Sequence, residues 1–383
     1  MKKWRLYLVL ILLVSFNVYS QEEAPKISVD GYIKNLHEFN FIDRLDQLQW
    51  TSLIHNRLNF KYLPNDEFSI RLEVRNRIYY GDRIRSFPGF AEMLDDDPGL
   101  ADLSVNLIEE NNLVFNSLID RALVNYTKAN WDISLGRQRI NWGMNLVWNP
   151  NDIFNTYNFL DFDYEERPGS DAIRVQYYTG DFSKIELTAK GGKQNDDLIA
   201  AGMYKFNKWT YDIQFLTGVY QKDWVVGAGW AGNLKEAGFK GEISYFVPYE
   251  EYPGNENVMS ASISLDYAFQ KGLYVNSSAL YNSSANNSFS SIEDLALARI
   301  SAKNLMPFKY SFFLQLSKEF TPIFLGTASF IYSPTRHSVI AMPSLNYSLA
   351  TNWDLNFTSQ SFFEFEDYKT LGNSCFLRLR YSF

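Results

Sequence analysis

The sequence has little cysteine and no long apolar run after its first twenty residues, and both shortages exclude common classes of protein. A single cysteine among 383 residues leaves no disulfide framework and no cysteine-based zinc site. Because a membrane helix needs about 20 consecutive apolar residues, the chain beyond residue 20 does not form a helical membrane bundle. The 44 acidic and 36 basic side chains give a net charge of -8, so no nucleic-acid partner is expected.

The sequence is rich in aromatic residues, which make up 17% of the chain and include 25 Tyr and 30 Phe. A soluble chain of this length would ordinarily contain two or more domains. Such domains give no reason for so many aromatic side chains. The aromatic content is therefore a feature that the predicted fold has to explain.

The first twenty residues have the features of an export signal. Lys2, Lys3 and Arg5 precede the apolar run 6–16, and the small-residue pattern at 18–20 predicts cleavage before Gln21. The apolar run is too short for an anchor helix that spans the membrane. We therefore expect an exported mature chain, residues 21–383, that forms a single barrel domain. Loss of three basic residues changes its charge from -8 to about -11.

From Ile27 onward, apolar side chains alternate with polar or small ones, which is the two-residue period of a strand with two different faces. One segment places Phe68 and Ile70 on one face and Arg71 and Glu73 on the other. Eighteen segments of this kind follow one another along the chain. They cover residues 27–37, 50–62, 67–80, 117–128, 131–139, 171–179, 184–192, 197–206, 209–219, 223–231, 236–246, 258–268, 272–281, 308–318, 322–333, 337–347, 352–363 and 374–383.

The connections between these segments alternate in length. Even-numbered segments are followed by two to about five residues, whereas several odd-numbered ones are followed by long connections at 81–116, 140–170 and 282–307. A soluble β-sandwich gives no reason to sort its connections in this way, but an outer-membrane barrel does. The predicted fold is all-β, a transmembrane antiparallel up-and-down β-barrel of about 18 strands with short periplasmic turns and long extracellular loops.

Aromatic residues near the turns and at the end of the chain support the same fold. Trp131, Trp209 and Trp353 each lie within two residues of a short turn, where an indole would sit at the membrane interface. The terminal run 381–383 resembles the signal by which Gram-negative barrels are delivered to the barrel-assembly machinery, which would engage Phe383. The expected location is the outer membrane of a Gram-negative bacterium, with its lipid and lipopolysaccharide as partners.

A ring of eighteen strands encloses an aqueous channel, because side chains cannot fill so wide an interior. Only about six residues separate Gln21 from the first segment, too few for a plug domain, so the loops are expected to narrow the channel. The alternation directs a set of charged side chains into this lumen. The predicted pore-lining residues are Arg57, Arg71, Glu73, Arg75, Arg77, Arg121, Arg137, Arg139, Arg174, Arg378 and Arg380.

These arginines fall on one arc of the ring, since a closed barrel pairs its last strand with its first. The opposite wall is expected to be mostly Ser, Asn, Gln and Thr, for example Ser262, Asn276 and Gln315. Two interpretations remain open. The arginines either neutralise acidic neighbours such as Glu73 and keep the lumen wet, or form a cationic track that concentrates small anionic or saccharide solutes.

The connection after the fifth segment has the most distinctive sequence. Strict alternation would turn Arg137 toward lipid, so we expect a bulge at Gly136 that turns Arg137 and Arg139 inward. The runs 136–143, 148–155 and 161–172 contain a GRQ segment, a WG pair, an Asn-Pro loop and an acidic Arg-Pro-Gly return strand. They resemble the porin-like barrels of the alginate-export family and a Bacteroidota-type outer-membrane barrel. The resemblance implies an eighteen-stranded channel with an arginine-lined lumen.

The same connection supplies candidates for a constriction of the pore. They are Trp142, Trp148, Asp152, Asp161, Asp163, Glu165, Glu166 and Arg167. Asp161, Asp163 and Glu165 have the spacing of calcium ligands, but the turn glycine of an EF-hand loop is absent. A structural acidic cluster paired with arginine is the favoured interpretation, so no metal and no cofactor is predicted. The two tryptophans either stack on sugar rings or hold the loop against the wall.

The connection 81–116 carries Leu100, Leu103 and Leu107 at helical spacing beside the acidic run 95–97. This spacing predicts a short helix, folded over the pore mouth or lying as a surface flap.

Enzymatic chemistry is not indicated. The three histidines lie in different segments, and the sequence has no Gly-x-Ser-x-Gly elbow and no His-Glu-x-x-His helix. The predicted function is passive diffusion of small hydrophilic solutes through an outer-membrane porin that favours anionic solutes or acidic saccharides. The alternative is a non-conducting barrel that serves as a structural or accessory part of an envelope or secretion complex.

Overall fold

A computed structural model describes residues 26–42, 48–156, 159–160, 166–249, 256–285, 300–366 and 368–383. The predicted export signal and the calcium candidates Asp161, Asp163 and Glu165 lie outside these ranges. The described residues form nineteen strands, two short α-helices and one 3-10 helix. No helix among them is both long enough and apolar enough to cross a membrane.

The strands are β1 Ile27–Phe41, β2 Gln49–Tyr62, β3 Phe68–Gly81, β4 Ser104–Glu110, β5 Leu113–Lys128, β6 Trp131–Gln138, β7 Ser170–Gly180, β8 Ser183–Lys190, β9 Ile199–Lys208, β10 Tyr211–Tyr220, β11 Asp223–Leu234, β12 Ala237–Pro248, β13 Val258–Ala268, β14 Leu273–Asn282, β15 Tyr310–Thr321, β16 Phe324–Ser333, β17 Ser338–Ala350, β18 Trp353–Glu364 and β19 Lys369–Ser382. The helices are α1 Asp82–Ser86, α2 Phe90–Asp95 and the 3-10 helix Asn195–Asp197.

The strands close into a ring in which every pair is antiparallel. The last strand, β19, pairs with β1 from Tyr32 opposite Ser382 to Phe41 opposite Asn373. Strand β3 pairs directly with β5, so β4, which pairs only with β5, is an additional strand of the connection between them. The ring therefore contains eighteen strands, and the predicted transmembrane β-barrel is confirmed.

The two faces of each strand differ in the way the alternation predicts. On β8 the outward Leu187 is 58% exposed, whereas Glu186 beside it is 0% exposed and points inward. Likewise, the outward Phe215 on β10 is 54% exposed, and the inward Glu242 on β12 is 1% exposed. An apolar outer wall around buried charges is the reverse of a soluble protein and suits a barrel that lipid surrounds.

One end of the barrel has only tight turns in its described part, and the long connections lie at the other end. Trp209 and Thr210 join β9 to β10 with φ values of 54° and 66°, the left-handed geometry that lets a two-residue turn match the twist of a hairpin. Trp131, Trp209 and Trp353 all lie on this short-turn end and are exposed. The predicted sorting of connections by length is present in the structure.

The connection between β3 and β5 differs from the prediction. Leu107 lies in β4, and Leu100 and Leu103 precede that strand, so the predicted helix through these three leucines is wrong. The helices α1 and α2 form earlier, where Phe90 and Ile84 pack into an apolar cluster with Val114 on β5. The helical spacing of the leucines was misleading because the segment gains more by pairing its backbone with β5.

Gly136 turns Arg137 into the lumen, although not through the predicted bulge. It pairs with Leu123 and Ala172 without a shift of register, and it has a φ of 116° that side chains rarely adopt. An added Cβ would lie 2.2 Å from the carbonyl oxygen of Ala122. The inward turn therefore depends on the missing side chain of this glycine.

Replacing Gly136 with alanine should destabilise the barrel, because the new Cβ meets backbone and the φ value costs about 1–3 kcal/mol. Urea unfolding in lipid vesicles, followed by heat-modifiable gel mobility, measures the change. Gly191→Ala is the control, because the nearest atom to its added Cβ belongs to a flexible leucine at 3.7 Å. Equal urea midpoints for the two variants would contradict this account.

Candidate functional site: a loop inside the barrel

The connection between β6 and β7 folds into the lumen in its described part, residues 139–156, 159–160 and 166–169, and reaches the far wall. The carboxylate of Glu242 on β12 accepts hydrogen bonds from the backbone N–H groups of Met144, of Asn145 at 2.6 Å and of Asn151 at 2.9 Å. The hydroxyl of Ser264 on β13 donates to the side-chain oxygen of Asn145 at 2.7 Å. We call the described residues of this connection the inner loop, and Glu242 is its main anchor.

A second buried carboxylate holds the beginning of the inner loop. Glu186 on β8 accepts a hydrogen bond from the indole N–H of Trp142 at 2.6 Å. The same carboxylate pairs with Arg174 at 2.6 Å and with Lys184 at 2.9 Å. Gln214 on β10 adds a bond to the carbonyl of Trp142 at 2.7 Å. Trp142 is 2% exposed, so it fixes the loop and is not free to stack on a sugar ring.

The middle of the inner loop packs on an apolar part of the far wall. Trp148 is 3% exposed and lies edge-on to Phe313 of β15, with 6.1 Å between ring centroids. The cluster around these two rings is formed by Val147, Leu160, Leu280, Leu305, Met306, Phe308, Ile331, Ile340, Met342, Phe362 and Leu371. The predicted polar side chains of the far wall are present, since Ser262, Asn276 and Ser311 are buried on its inner face. The apolar cluster interrupts this polar surface. Phe308 does not belong to a strand and lies in a second inward segment before β15.

On the opposite arc, several predicted pore-lining arginines are neutralised by carboxylates. Arg57 pairs with Glu73 and, at 2.7 Å, with Asp120, while Glu166 of the inner loop lies 3.9 Å away. Arg121 pairs with Asp120 at 3.2 Å and donates to the backbone carbonyl of Glu166 at 3.1 Å. For these two arginines the first interpretation holds, because their charge is balanced by acidic neighbours.

Arg137 and Arg174 are also paired. Arg137 binds both carboxylate oxygens of Asp171, at 2.7 and 2.8 Å, and reaches Asp97 at 2.7 Å. Its partner Asp97 comes from the connection between β3 and β5, which the arginine ties to the wall. Arg174 is held by Glu186. These ion pairs hold loops in position, and because their charges are balanced they add little net charge to the channel.

Arg75 and Arg77 on β3 lie in the lumen between the wall and α2. The guanidinium of Arg75 donates to the ring nitrogen of His55 at 3.3 Å. The guanidinium of Arg77 donates to the side-chain oxygen of Asn116 at 2.7 Å and to the backbone carbonyl of Leu94 at 3.3 Å. Both arginines therefore take part in local hydrogen bonding.

The remaining arginines of the arc are open to solvent to different degrees. Arg71 and Arg139 are exposed, and Arg378 and Arg380 are half-buried. The guanidinium of Arg380 lies 4.2 Å from the centre of the Tyr32 ring. A cavity of about 530 Å³ opens beside Arg139 and Arg380. Its lining is Asp30, Gly31, Tyr32, Arg57, Asn59, Glu73, Arg121, Arg139, Glu166, Arg380, Ser382 and Phe383.

Asp152 links the beginning of the inner loop to its end. Its carboxylate accepts the backbone N–H of Trp142 at 3.4 Å and pairs with Arg167 at 3.2 Å. Burial raises the pKa of Asp152 to about 7, against the opposing effect of Arg167. Of the predicted constriction residues, Trp142, Trp148, Asp152, Glu166 and Arg167 are therefore brought together in one loop. Among the described residues, no group of His, Cys, Asp and Glu side chains could hold a metal ion.

Sequence reasoning missed the residues that anchor the inner loop. Glu242 and Glu186 lie within predicted strands, at positions that alternation turns inward. The sequence did offer one signal for these anchors, which is a carboxylate at a strand position whose side chain the alternation directs into the lumen. Its partners could not be identified, because the backbone groups that it binds are about 100 residues away in the chain.

Solved structures share this architecture. OccAB4 of Acinetobacter baumannii matches with a TM-score of 0.61 at 9% identity over 94% of this chain and 98% of its own. OccK11 of Pseudomonas aeruginosa matches with 0.58 at 8% identity, over 93% and 95%. OpdK of P. aeruginosa, an outer membrane protein solved with vanillate, matches with 0.57 at 9% identity, over 93% and 98%. At these identities the likeness is one of fold. No family model and no curated protein matches the sequence.

Replacing Glu242 with glutamine should loosen the inner loop. Hydrogen bonds to a charged acceptor contribute about 1.5–3 kcal/mol, so weakening them should speed amide exchange at Met144, Asn145 and Asn151 by about tenfold or more. Hydrogen exchange with mass spectrometry measures this. Glu236→Gln, at an exposed turn, is the matched control. Unchanged exchange across 140–156 in the Glu242 variant would refute the anchor.

The stability of the inner loop should fall as pH rises through 7. The folded pKa of Asp152, about 7, lies above the unfolded value of about 3.9, so its contribution is full below about 4 and is lost as pH rises. Amide exchange across 140–156 should therefore be faster at pH 8 than at pH 5, after correction for the intrinsic rate. Asp152→Asn should reduce the difference, and Asp66→Asn, at an exposed turn, should leave it unchanged. The same pH dependence in Asp152→Asn would contradict the assignment.

Proposed function

We propose that this chain is an outer-membrane porin of a Gram-negative bacterium that lets small hydrophilic solutes diffuse passively. The observation that carries the proposal is a closed eighteen-strand barrel whose lumen is narrowed by an inner loop anchored on one wall. The shared fold with the Occ outer-membrane porins supports it. The export signal before Gln21, delivery through Phe383 and a setting of lipid and lipopolysaccharide belong to the same proposal.

The path for solute would run between the inner loop and the arginine-bearing arc. The loop is fixed to β8, β10 and β12–β15, so it fills the far side of the lumen and leaves space near β1–β3. Besides the cavity of about 530 Å³, a second one of about 350 Å³ lies on this arc, with Arg75, Arg77, Asp97, Asp120 and Arg137 in its lining. Both are lined by charged groups, which suits hydrated solutes.

A preference for anions would depend on only some of the arginines. Arg57, Arg121, Arg137 and Arg174 are paired with carboxylates, whereas Arg71 and Arg139 are exposed. Exposed cations in a confined lumen raise the local concentration of anions. Vanillate, present in one OpdK structure, is an aromatic carboxylate, which supports small carboxylates as the first class of solute to test.

The narrower resemblance to alginate exporters and to Bacteroidota barrels is a further hypothesis that rests on the inner-loop sequence. Acidic saccharides would have to bind through charge and hydrogen bonds, because Trp142 and Trp148 are buried.

The alternative, a non-conducting structural barrel, is favoured by one observation. Two inward segments and the apolar cluster around Trp148 and Phe313 fill part of the lumen. Planar-bilayer recording distinguishes the two functions, since the porin should give steady single-channel currents. An absence of ion flow through folded, heat-modifiable protein would refute the porin proposal.

If the barrel conducts, the double variant Arg71→Gln with Arg139→Gln should reduce anion over cation permeability by roughly twofold, because two exposed cations leave the lumen. Reversal potentials in a salt gradient measure the ratio. The matched control is Lys205→Gln with Asp212→Asn, since these side chains of β9 and β10 form an ion pair 3.0 Å long and its removal leaves the net charge of the lumen unchanged. An equal change in both double variants would contradict a role for the two exposed arginines.

A further inference from the structure

Polar side chains occur in a compact group on the outer wall, where lipid should lie. Asn56 of β2, Asn76 of β3 and Ser117 of β5 are direct neighbours across three strands. Along each strand they alternate with side chains that point into the lumen. They lie on the same face of the sheet as Phe60 and Phe68, which point outward and are 37% and 38% exposed. The row therefore faces away from the lumen.

These side chains are linked by hydrogen bonds that run around the barrel. The hydroxyl of Ser117 donates to Asn76 at 2.9 Å, the amide of Asn76 donates to Asn56 at 3.3 Å, and the amide of Asn56 donates to the backbone carbonyl of Tyr32 at 3.2 Å. Next to this row, His37 and Ser52 form a second polar pair at 2.6 Å. We call His37, Ser52, Asn56, Asn76 and Ser117 the outer polar patch.

The patch lies at the depth of the hydrocarbon core. Strand β2 has outward aromatic side chains near both ends, Trp50 and Tyr62, and Asn56 lies midway between them. Because the apolar band of such a barrel is about 25 Å tall, a residue midway between aromatic ends is near its centre. Elsewhere on the outer wall many outward side chains are apolar and exposed, as at Leu187, Val226 and Phe312.

A polar side chain in hydrocarbon is unfavourable unless its hydrogen-bonding groups are satisfied. An asparagine side chain has two donor hydrogens and two acceptor lone pairs. The bonds given above use one donor and one acceptor of Asn76, and Asn76, His37 and Asn56 are only half-buried. A neighbouring protein surface could use the remaining capacity, which lipid tails cannot do.

We infer that the outer polar patch binds a second copy of this chain, side by side in the membrane. The patch contains no carboxylate, lysine or arginine. Its amide and hydroxyl groups both donate and accept, so it is complementary to itself across a two-fold axis. Four strands ~4.8 Å apart across a band ~25 Å tall present roughly 500 Å² per copy, or about 1,000 Å² for the pair, which reaches the lower limit for a specific interface. This inference about a dimer holds whether or not the barrel conducts ions.

Cysteine crosslinking in membranes tests the position of the interface. In a Cys375→Ser background, Asn76→Cys treated with a short bis-maleimide should give a crosslinked dimer, because the two copies of residue 76 meet near the axis. Val226→Cys, on the outer wall of β11 and 52% exposed, should stay monomeric in the same background. Failure of Asn76→Cys to crosslink although it reacts with a mono-maleimide, or equal crosslinking of Val226→Cys, would overturn the proposal.

The mass of the complex tests what occupies the patch. The wild-type chain in lipid nanodiscs or gentle detergent should have the mass of a dimer, and the triple variant Asn56→Leu, Asn76→Leu, Ser117→Ala should have that of a monomer. Heat-modifiable mobility should show that the variant still folds, since the changed side chains face lipid. Thr217→Leu, an outward polar position on β10, is the matched control and should remain dimeric. A monomeric wild type, or a different protein bound in its place, would overturn the inference.

Discussion

The structure depends on one constraint, which is that a backbone N–H or C=O group facing hydrocarbon must find its partner within the protein. A sheet meets this constraint only if it has no edge, and pairing of β19 with β1 removes the last edge. Closure fixes an inside and an outside for each of the eighteen ring strands. The alternation of side chains then sorts Leu187 to the lipid and Glu186 to the lumen, although they are adjacent in the chain.

The buried charges of the interior follow from the same sorting. A lumen enclosed by a closed wall can hold carboxylates and guanidinium groups that the lipid-facing side of the same strands could not accept. Most of them are used to fix loops, as Glu242 does for the inner loop and Arg137 does for the segment around Asp97. The arginine-bearing arc and the far side of the lumen thus have different roles. The arc borders the proposed path for solute, and the far side carries the segments that narrow it.

Much of the fold could be predicted from sequence because its determinants are local. Two-residue alternation and connection length gave the ring strands in their order, and the phase of β3 gave the inward direction of Arg75 and Arg77. The predictions that were wrong concern details that depend on contacts between residues distant in sequence. Leu107 joined a strand rather than a helix because β5 was available to pair with it, and Gly136 turned the chain by its φ value without an inserted residue. The alternation predicted that Glu242 points inward but could not identify its partners, since they belong to a loop that precedes it by about 100 residues.

The seam between β1 and β19 also determines the order in which the barrel can form. His37 pairs with Leu377, a separation of 340 residues, whereas every other pair of ring strands consists of neighbours along the chain. Local hairpins form readily, but joining distant segments carries the entropy of closing a very long loop. Ring closure is thus the least local step of folding. Until it occurs, β1 and β19 are both edges that another strand can occupy, and an assembly factor that covers them would protect the chain from aggregation.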